Sequence, residues 1–178
     1  MTRGPLFLSL GQMKLRPNDT QHQDEFWMGK ALKLAEQAAR LDEVPVGALL
    51  VAADGQTILG KAFNRRESWK TPLGHAELTT LHRASQKEQS WRLVGSTLYV
   101  TLEPCLMCAG ALIQARVQRV VFGASDPKAG AVKSLFQVLE DPRLNHRCQV
   151  TVGVLGVECG QILTDYFRAK RKAQKRLT

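Results

Sequence analysis

His75-Ala76-Glu77 and Thr101-Leu102-Glu103-Pro104-Cys105-Leu106-Met107-Cys108-Ala109-Gly110-Ala111 are the stretches on which the reading of this chain turns. An apolar run from Ala109 to Ile113 follows the two cysteines, and Leu78, Leu81 and Ala84 follow the histidine at helical spacing, so each stretch opens a helix. On a first helical turn, positions i and i+3 share one face, and Cys105 and Cys108 can therefore reach one metal. The unpaired N–H groups and the positive dipole end of that turn favour thiolate over thiol. Pro104 suits the entry, because its missing N–H would find no partner there anyway. Two helix N-termini thus converge on one zinc, held by His75, Cys105 and Cys108. Three protein ligands leave the fourth tetrahedral position open to water, which separates a working zinc from a structural one. Glu77, two residues beyond His75, points away from the histidine's direction and falls beside that water rather than on the metal. Zinc lowers the pKa of water, and a carboxylate beside it can collect the proton and pass it on.

Each half of the pattern has an ordinary reading when taken alone. A single Cys-x-x-Cys is a redox pair or half of a structural knuckle, and a single His-x-Glu is a solvated helix face. Cys148 and Cys159 lack a second Cys-x-x-Cys spacing, which leaves a four-cysteine structural site without support. Together, in this order and with proline before the first cysteine, the residues match the His-x-Glu…Pro-Cys-x-x-Cys signature of zinc-dependent nucleobase and nucleoside deaminases.

The 178 residues read as one domain with room for a proper core. The 44% hydrophobic and 23% charged fractions are ordinary for a globular chain. Pro5 to Leu10 is too short an apolar patch for a signal-peptide core or a membrane span. Four cysteines, two of them assigned to metal, point to a reducing compartment, and a cytoplasmic location is expected. The net charge of +9 points to a polyanionic partner, with nucleic acid foremost. Much of the excess lies between Arg168 and Arg176. Such a run is equally at home as a solvated helix end, where cations suit the negative dipole.

The remaining chain orders itself around these motifs. Residues 1–22 read as a flexible N-terminal extension, with Met13 as an alternative start, and 23–178 as a single zinc-dependent deaminase domain ending in a basic helix. Trp27, Ala31, Leu34, Ala35, Ala38 and Leu41 recur at helical spacing behind Asp24 as N-cap. Val46 to Ala52 and Thr57 to Ala62 read as strands joined at Asp54-Gly55, and Asn64 to Gly74 as a polar loop. Strands at 97–101, 119–122 and 149–154 are expected, with a short helix at 134–139 and a last helix at 157–172. Helices alternating with strands after a hairpin predict an α/β fold, a mixed sheet of about five strands covered by helices on both faces.

Over about Asp24 to Lys175 the chain resembles the bacterial tRNA-specific adenosine deaminases, which have a cytidine-deaminase-like three-layer α/β/α fold. Beyond the zinc motifs, the resemblance is carried by Glu43-Val44-Pro45-Val46-Gly47-Ala48, Arg119-Val120-Val121-Phe122-Gly123-Ala124, Asn145-His146-Arg147 and Asp165-Tyr166-Phe167-Arg168. It implies hydrolysis of the wobble adenosine of an anticodon loop, chiefly in an arginine tRNA, to inosine by a homodimer carrying one zinc per subunit. Activated water would attack C6, with Glu77 shuttling protons. By position, Asn64 matches an asparagine that hydrogen-bonds the nucleoside, whereas on its own it reads as an Asx turn. Asp126 and Lys128 fall where the family contacts RNA and would otherwise be loop charges. Phe167 and Arg168 match a segment near the RNA, although Phe167 also reads as core packing. The chain departs from the family at Ser125, where arginine is common, and at Thr71-Pro72-Leu73-Gly74, where Asp-Pro-Thr is common. Both changes lie outside the zinc chemistry and bear on flanking-nucleotide contacts.

RNA recognition favours single-stranded loops whose bases can be splayed out, and an anticodon loop is already partly unstacked. Two other readings share some of the pattern. A deaminase of a free cytosine or guanine base, nucleoside or nucleotide uses the same zinc but leaves the basic tail unexplained. A non-catalytic RNA-binding zinc protein explains the tail but has no use for Glu77.

Overall fold

Alternation along three strands sets the layers. The computed structural model describes residues 17–176. Strands β1 (Gly47–Val51), β2 (Ile58–Phe63), β3 (Thr97–Leu102), β4 (Arg119–Ala124) and β5 (Gln149–Val152) form one sheet in the order β2-β1-β3-β4-β5. β1 runs antiparallel to β2 and β3, whereas β3, β4 and β5 run parallel. Helices α1 (Pro17–Arg40), α2 (Arg66–Trp69), α3 (Ala76–Glu88), α4 (Leu106–Gln114) and α5 (Gly156–Gln174) complete the order.

Leu50, Leu98, Val100, Val120 and Phe122 face α3 and α4 and bury Leu81, Ala84, Ala109 and Leu112. The intervening Leu49, Tyr99 and Val121 face the other way, against Trp27, Met28 and Ala31 of α1 and Cys159 of α5. Consecutive side chains of a strand point to opposite faces, so every second residue feeds one of two cores. Each fully buried Leu or Val contributes roughly 1.5–3 kcal/mol. The three-layer arrangement with a mixed five-stranded sheet is therefore the expected one.

Two close approaches lock the helices to the hairpin. A Cβ on Gly60 would stand 2.4 Å from the Thr80 carbonyl oxygen of α3, and one on Gly47 would stand 2.1 Å from that of Ala31 in α1. The Thr80 hydroxyl also donates to the Ala48 carbonyl, at 3.2 Å. α3, and with it His75, is thereby seated firmly on the sheet.

Several local expectations are corrected. α1 begins at Pro17, so residues 17–22 are helical and Asp24 is an interior residue rather than an N-cap. Asp24 is buried because it works across the fold. Its carboxylate takes both ends of the Arg119 guanidinium, at 2.9 and 2.6 Å, and the Tyr99 hydroxyl at 3.0 Å. Pro5 to Leu10 and Met13 lie outside the described residues. The Asn64–Gly74 loop contains α2, and the helix expected at 134–139 is only a 3-10 turn at Val138–Glu140. The Val138 N–H, which a helix from Ser134 would return to the Ser134 carbonyl, goes to the Ala131 carbonyl at 3.1 Å, while the N–H groups of residues 132–134 are held by Glu103.

β3 and β4 are parallel neighbours, so their carboxyl ends open on the same edge of the sheet. Ligand sites in α/β sheets favour that edge. Leu102 and Ala124, a registered pair, lead respectively into Cys105 and Asp126.

Candidate active site

His75 and Cys105 are the N-cap residues of α3 and α4, both with extended backbone and neither using its side chain to cap the helix. Their polar atoms are thus free to face one another. His75 Nδ1 lies 3.7 Å from Cys105 Sγ and 3.5 Å from Cys108 Sγ, and the three donor atoms all lie within 4.8 Å of one another. A tetrahedral zinc with bonds of ~2.3 Å to sulfur and ~2.0 Å to nitrogen holds its nitrogen and sulfur donors ~3.5 Å apart. The spacing fits that ion.

The protonation pattern fits it too. Cys105 is held down to about 3, chiefly by the hydrogen bond from Cys108 and further by His75. The same sulfur–sulfur hydrogen bond, together with burial, pushes Cys108 up. His75 is raised, first by its hydrogen bond with Cys105. The thiolate is the form in which a cysteine ligates a metal, and Cys105 is held towards it.

His75, Cys105 and Glu77 border a cavity of about 200 Å³ with Asn64 and Asp126 on its wall. That is below the roughly 300–1,000 Å³ of drug-sized ligand sites, a scale suited to one base. Val44, Val46 and Leu102 supply its apolar lining. Glu77 is only 4% exposed, and burial raises its carboxyl above the usual range, so it takes up a proton more readily than a surface glutamate.

The other expected contact residues are distributed differently. Asp126 Oδ1 accepts from the N–H groups of Lys128 and Ala129, shaping the loop beside the cavity. Lys128 is exposed and does not line it. Phe167 and Arg168 sit on α5, outside the cavity lining; Phe167 packs edge-on against Tyr166, and Arg168 pairs with Asp165 at 3.2 Å.

Two acids escaped the sequence reading. Glu43 is fully buried and accepts from Asn64 Nδ2 at 3.1 Å and from the N–H groups of Glu67 and Ser68 at 3.1 and 2.6 Å. Glu103 is 3% exposed and accepts from the N–H groups of Asp126, Val132, Lys133 and Ser134, and from the Ser134 hydroxyl. Their signal was an acid directly beside an apolar strand run, in segments already singled out as motifs.

A model of the MafB19-like deaminase family matches residues 22–171. A tRNA-specific adenosine deaminase of Bacillus subtilis is 47% identical over 153 residues, covering 86% of this chain and 94% of that protein. The chain belongs to the tRNA-specific adenosine deaminase family. A solved structure from studies of A-to-I editing by tRNA:A34 deaminases at the wobble position of transfer RNA aligns with a TM-score of 0.73 and 40% identity, over 78% of this chain and 99% of that one. A guanine deaminase of Nitrosomonas europaea aligns with a TM-score of 0.67 at 24% identity, covering 92% of this chain and 98% of that one, a likeness of fold alone. No helix among the described residues is long and apolar enough to cross a membrane.

Proposed function

We propose that the protein hydrolyses adenosine to inosine at the wobble position of a tRNA anticodon loop, using one zinc per subunit held by His75, Cys105 and Cys108. The observation that carries this reading is the spare buried carboxylate of Glu77 in the same cavity as a three-donor cluster. A structural metal needs no such neighbour. Zinc, when bound, supplies a Lewis acid that lowers the pKa of water at the open fourth position.

Glu77 takes the proton of the water that attacks C6 and delivers it to N1 of the purine. It then carries the proton of the new C6 hydroxyl to the departing amine, so water and adenosine become inosine and ammonia. Burial serves this exchange, because it raises the Glu77 carboxyl above the usual carboxylate range and makes it a better proton acceptor than a surface glutamate. Asn64 and Asp126 orient the nucleoside at the cavity wall, and the apolar side chains exclude bulk water. Lys128, Phe167 and Arg168 contact the RNA outside the cavity, and the cations of α5 meet its phosphates. An anticodon stem-loop, chiefly that of an arginine tRNA, is the expected partner. We assign the work to a cytoplasmic homodimer, the family's arrangement, and four free cysteines suit a reducing compartment.

The test offers purified protein an anticodon stem-loop with wobble adenosine alongside free adenosine, cytidine and guanine. Inosine formed only in the stem-loop, and not by Glu77→Ala, is the expected result. Turnover of only a free base or nucleoside would move the protein to the small-molecule deaminases. Zinc binding without any turnover would leave an RNA-binding zinc protein.

A further inference from the structure

Glu43 has no part in the chemistry just described, yet it is completely buried, and its carboxylate holds Asn64 of the cavity wall together with the backbone of Glu67 and Ser68 behind that wall. It follows directly on the end of α1, where Asp42 takes a left-handed backbone (φ 61°) and the Glu43 N–H returns to the Ala38 carbonyl at 3.0 Å. α5 holds that turn from outside: the Tyr166 hydroxyl donates to the Asp42 carbonyl at 2.8 Å, and Lys170 Nζ meets the Asp42 carboxylate at 2.5 Å. The Glu43 side chain is thus launched from a fixed backbone. Its Oε2 accepts from Asn64 Nδ2 and the Glu67 N–H, and its Oε1 from the Ser68 N–H.

An ionised carboxylate only accepts hydrogen bonds, so it resolves which way the Asn64 amide points. The nitrogen must face Glu43, and the amide oxygen is the atom left for the cavity, whose wall Asn64 forms. A substrate group meeting Asn64 there is accordingly a donor, a ribose hydroxyl or a base N–H. Without the carboxylate, the amide could turn over and offer a donor in place of an acceptor.

We propose that Glu43 is a positioning residue for deamination, acting through Asn64: it orients the amide so that an oxygen acceptor meets the nucleoside, and it fixes the Arg66–Trp69 turn that follows. This rests on the deaminase reading above, in which Asn64 touches the substrate.

The test is a double-mutant cycle on kcat/KM with Glu43→Gln, Asn64→Ala and the pair, each rate taken per zinc-loaded protein. Each single change is expected to lower kcat/KM by about tenfold to a hundredfold, the range a displaced orienting group produces. In the Asn64→Ala background, Glu43→Gln should then cost less than about twofold, since residues acting as one unit are not additive. Effects that multiply would overturn the proposal and leave Glu43 a purely structural cap of α2. So would an Asn64→Ala variant with unchanged kinetics. The cycle runs on whichever substrate is turned over, so a preference for a free nucleoside would defeat the tRNA reading without deciding the role of Glu43. A measurement on the unsubstituted protein covers the event that Glu43→Gln does not fold. Proton–nitrogen NMR should find the one Asn64 side-chain amide proton that faces Glu43 exchanging slowly with solvent. Rapid solvent exchange of both Asn64 amide protons would refute the orientation on which the proposal depends.

Discussion

Glu103→Gln is the substitution that most directly probes how the strand end holds the loop beside the cavity. Glu103 Oε1 accepts three N–H groups, from Val132, Lys133 and Ser134 at 3.1, 2.7 and 2.9 Å. Oε2 accepts the Asp126 N–H at 3.0 Å and the Ser134 hydroxyl. Glutamine fills the same space but carries one oxygen and no charge. With its oxygen in the Oε1 place it keeps those three bonds as neutral ones, a loss of roughly 1 kcal/mol each against charge-assisted bonds. Its NH2 then points at the Asp126 N–H, and a donor left facing a donor costs about 1–3 kcal/mol. The Ser134 hydroxyl can rotate and accept, so that hydrogen bond survives. Allowing for non-additivity, the variant should be about 3–5 kcal/mol less stable. For a chain of this length that lowers Tm by roughly 6–20 °C. Calorimetric melting of zinc-loaded protein measures it, with deamination of the stem-loop followed below the transition. Activity should fall as well, because the backbone of Asp126, on the cavity wall, loses its anchor. A variant that melts within about 2 °C of the parent and turns over normally would refute the view that Glu103 organises the 125–134 loop.

Three further outcomes are expected. Glu77→Ala should retain zinc and RNA binding while turnover falls by about 10²–10⁴-fold, the range for a positioned acid–base; zinc assay, RNA affinity and single-turnover rates separate the three. Truncation after Arg168 removes Lys170, Arg171, Lys172, Lys175 and Arg176. It should weaken RNA binding and flatten its salt dependence, lowering the log–log slope by about 0.7 for each phosphate no longer neutralised, and equal binding by both forms at low and moderate salt would count against it. In Glu43, the N–H groups of Ser68 and Glu67, together with Arg65, outweigh the opposing effect of burial and hold the carboxyl below its ordinary 4.5. A depressed carboxylate contributes stability above the unfolded value that is lost as pH falls towards and through the folded one. The difference in melting temperature between parent and Glu43→Gln should accordingly be full at neutral pH and shrink below about pH 4.5. A pH-independent difference would contradict this.

The sequence alone determined which residues form the candidate donor set, because ligand spacing and helix entry are local properties. Cys105 and Cys108 share a helical turn whatever the rest of the chain does, and Glu77 follows His75 on the same helix. The strands were equally legible, since alternation along 47–51, 97–102 and 119–124 records two buried faces. The spans that read poorly depend on distant partners. Residues 134–139 read as a short helix, but the Val138 N–H goes to the Ala131 carbonyl, and a carboxylate thirty residues away in the chain holds the backbone of residues 132–134 that precedes it. Asp24 looked like a cap because nothing local reveals Arg119, ninety-five residues on. Only the tertiary structure decided that His75 Nδ1 meets both sulfurs, that Lys128, Phe167 and Arg168 stand outside the cavity lining, and that Glu43 faces the Asn64 amide. The reason is physical: a buried charge persists only where the fold brings it donors, and long-range pairings leave no periodicity in the chain.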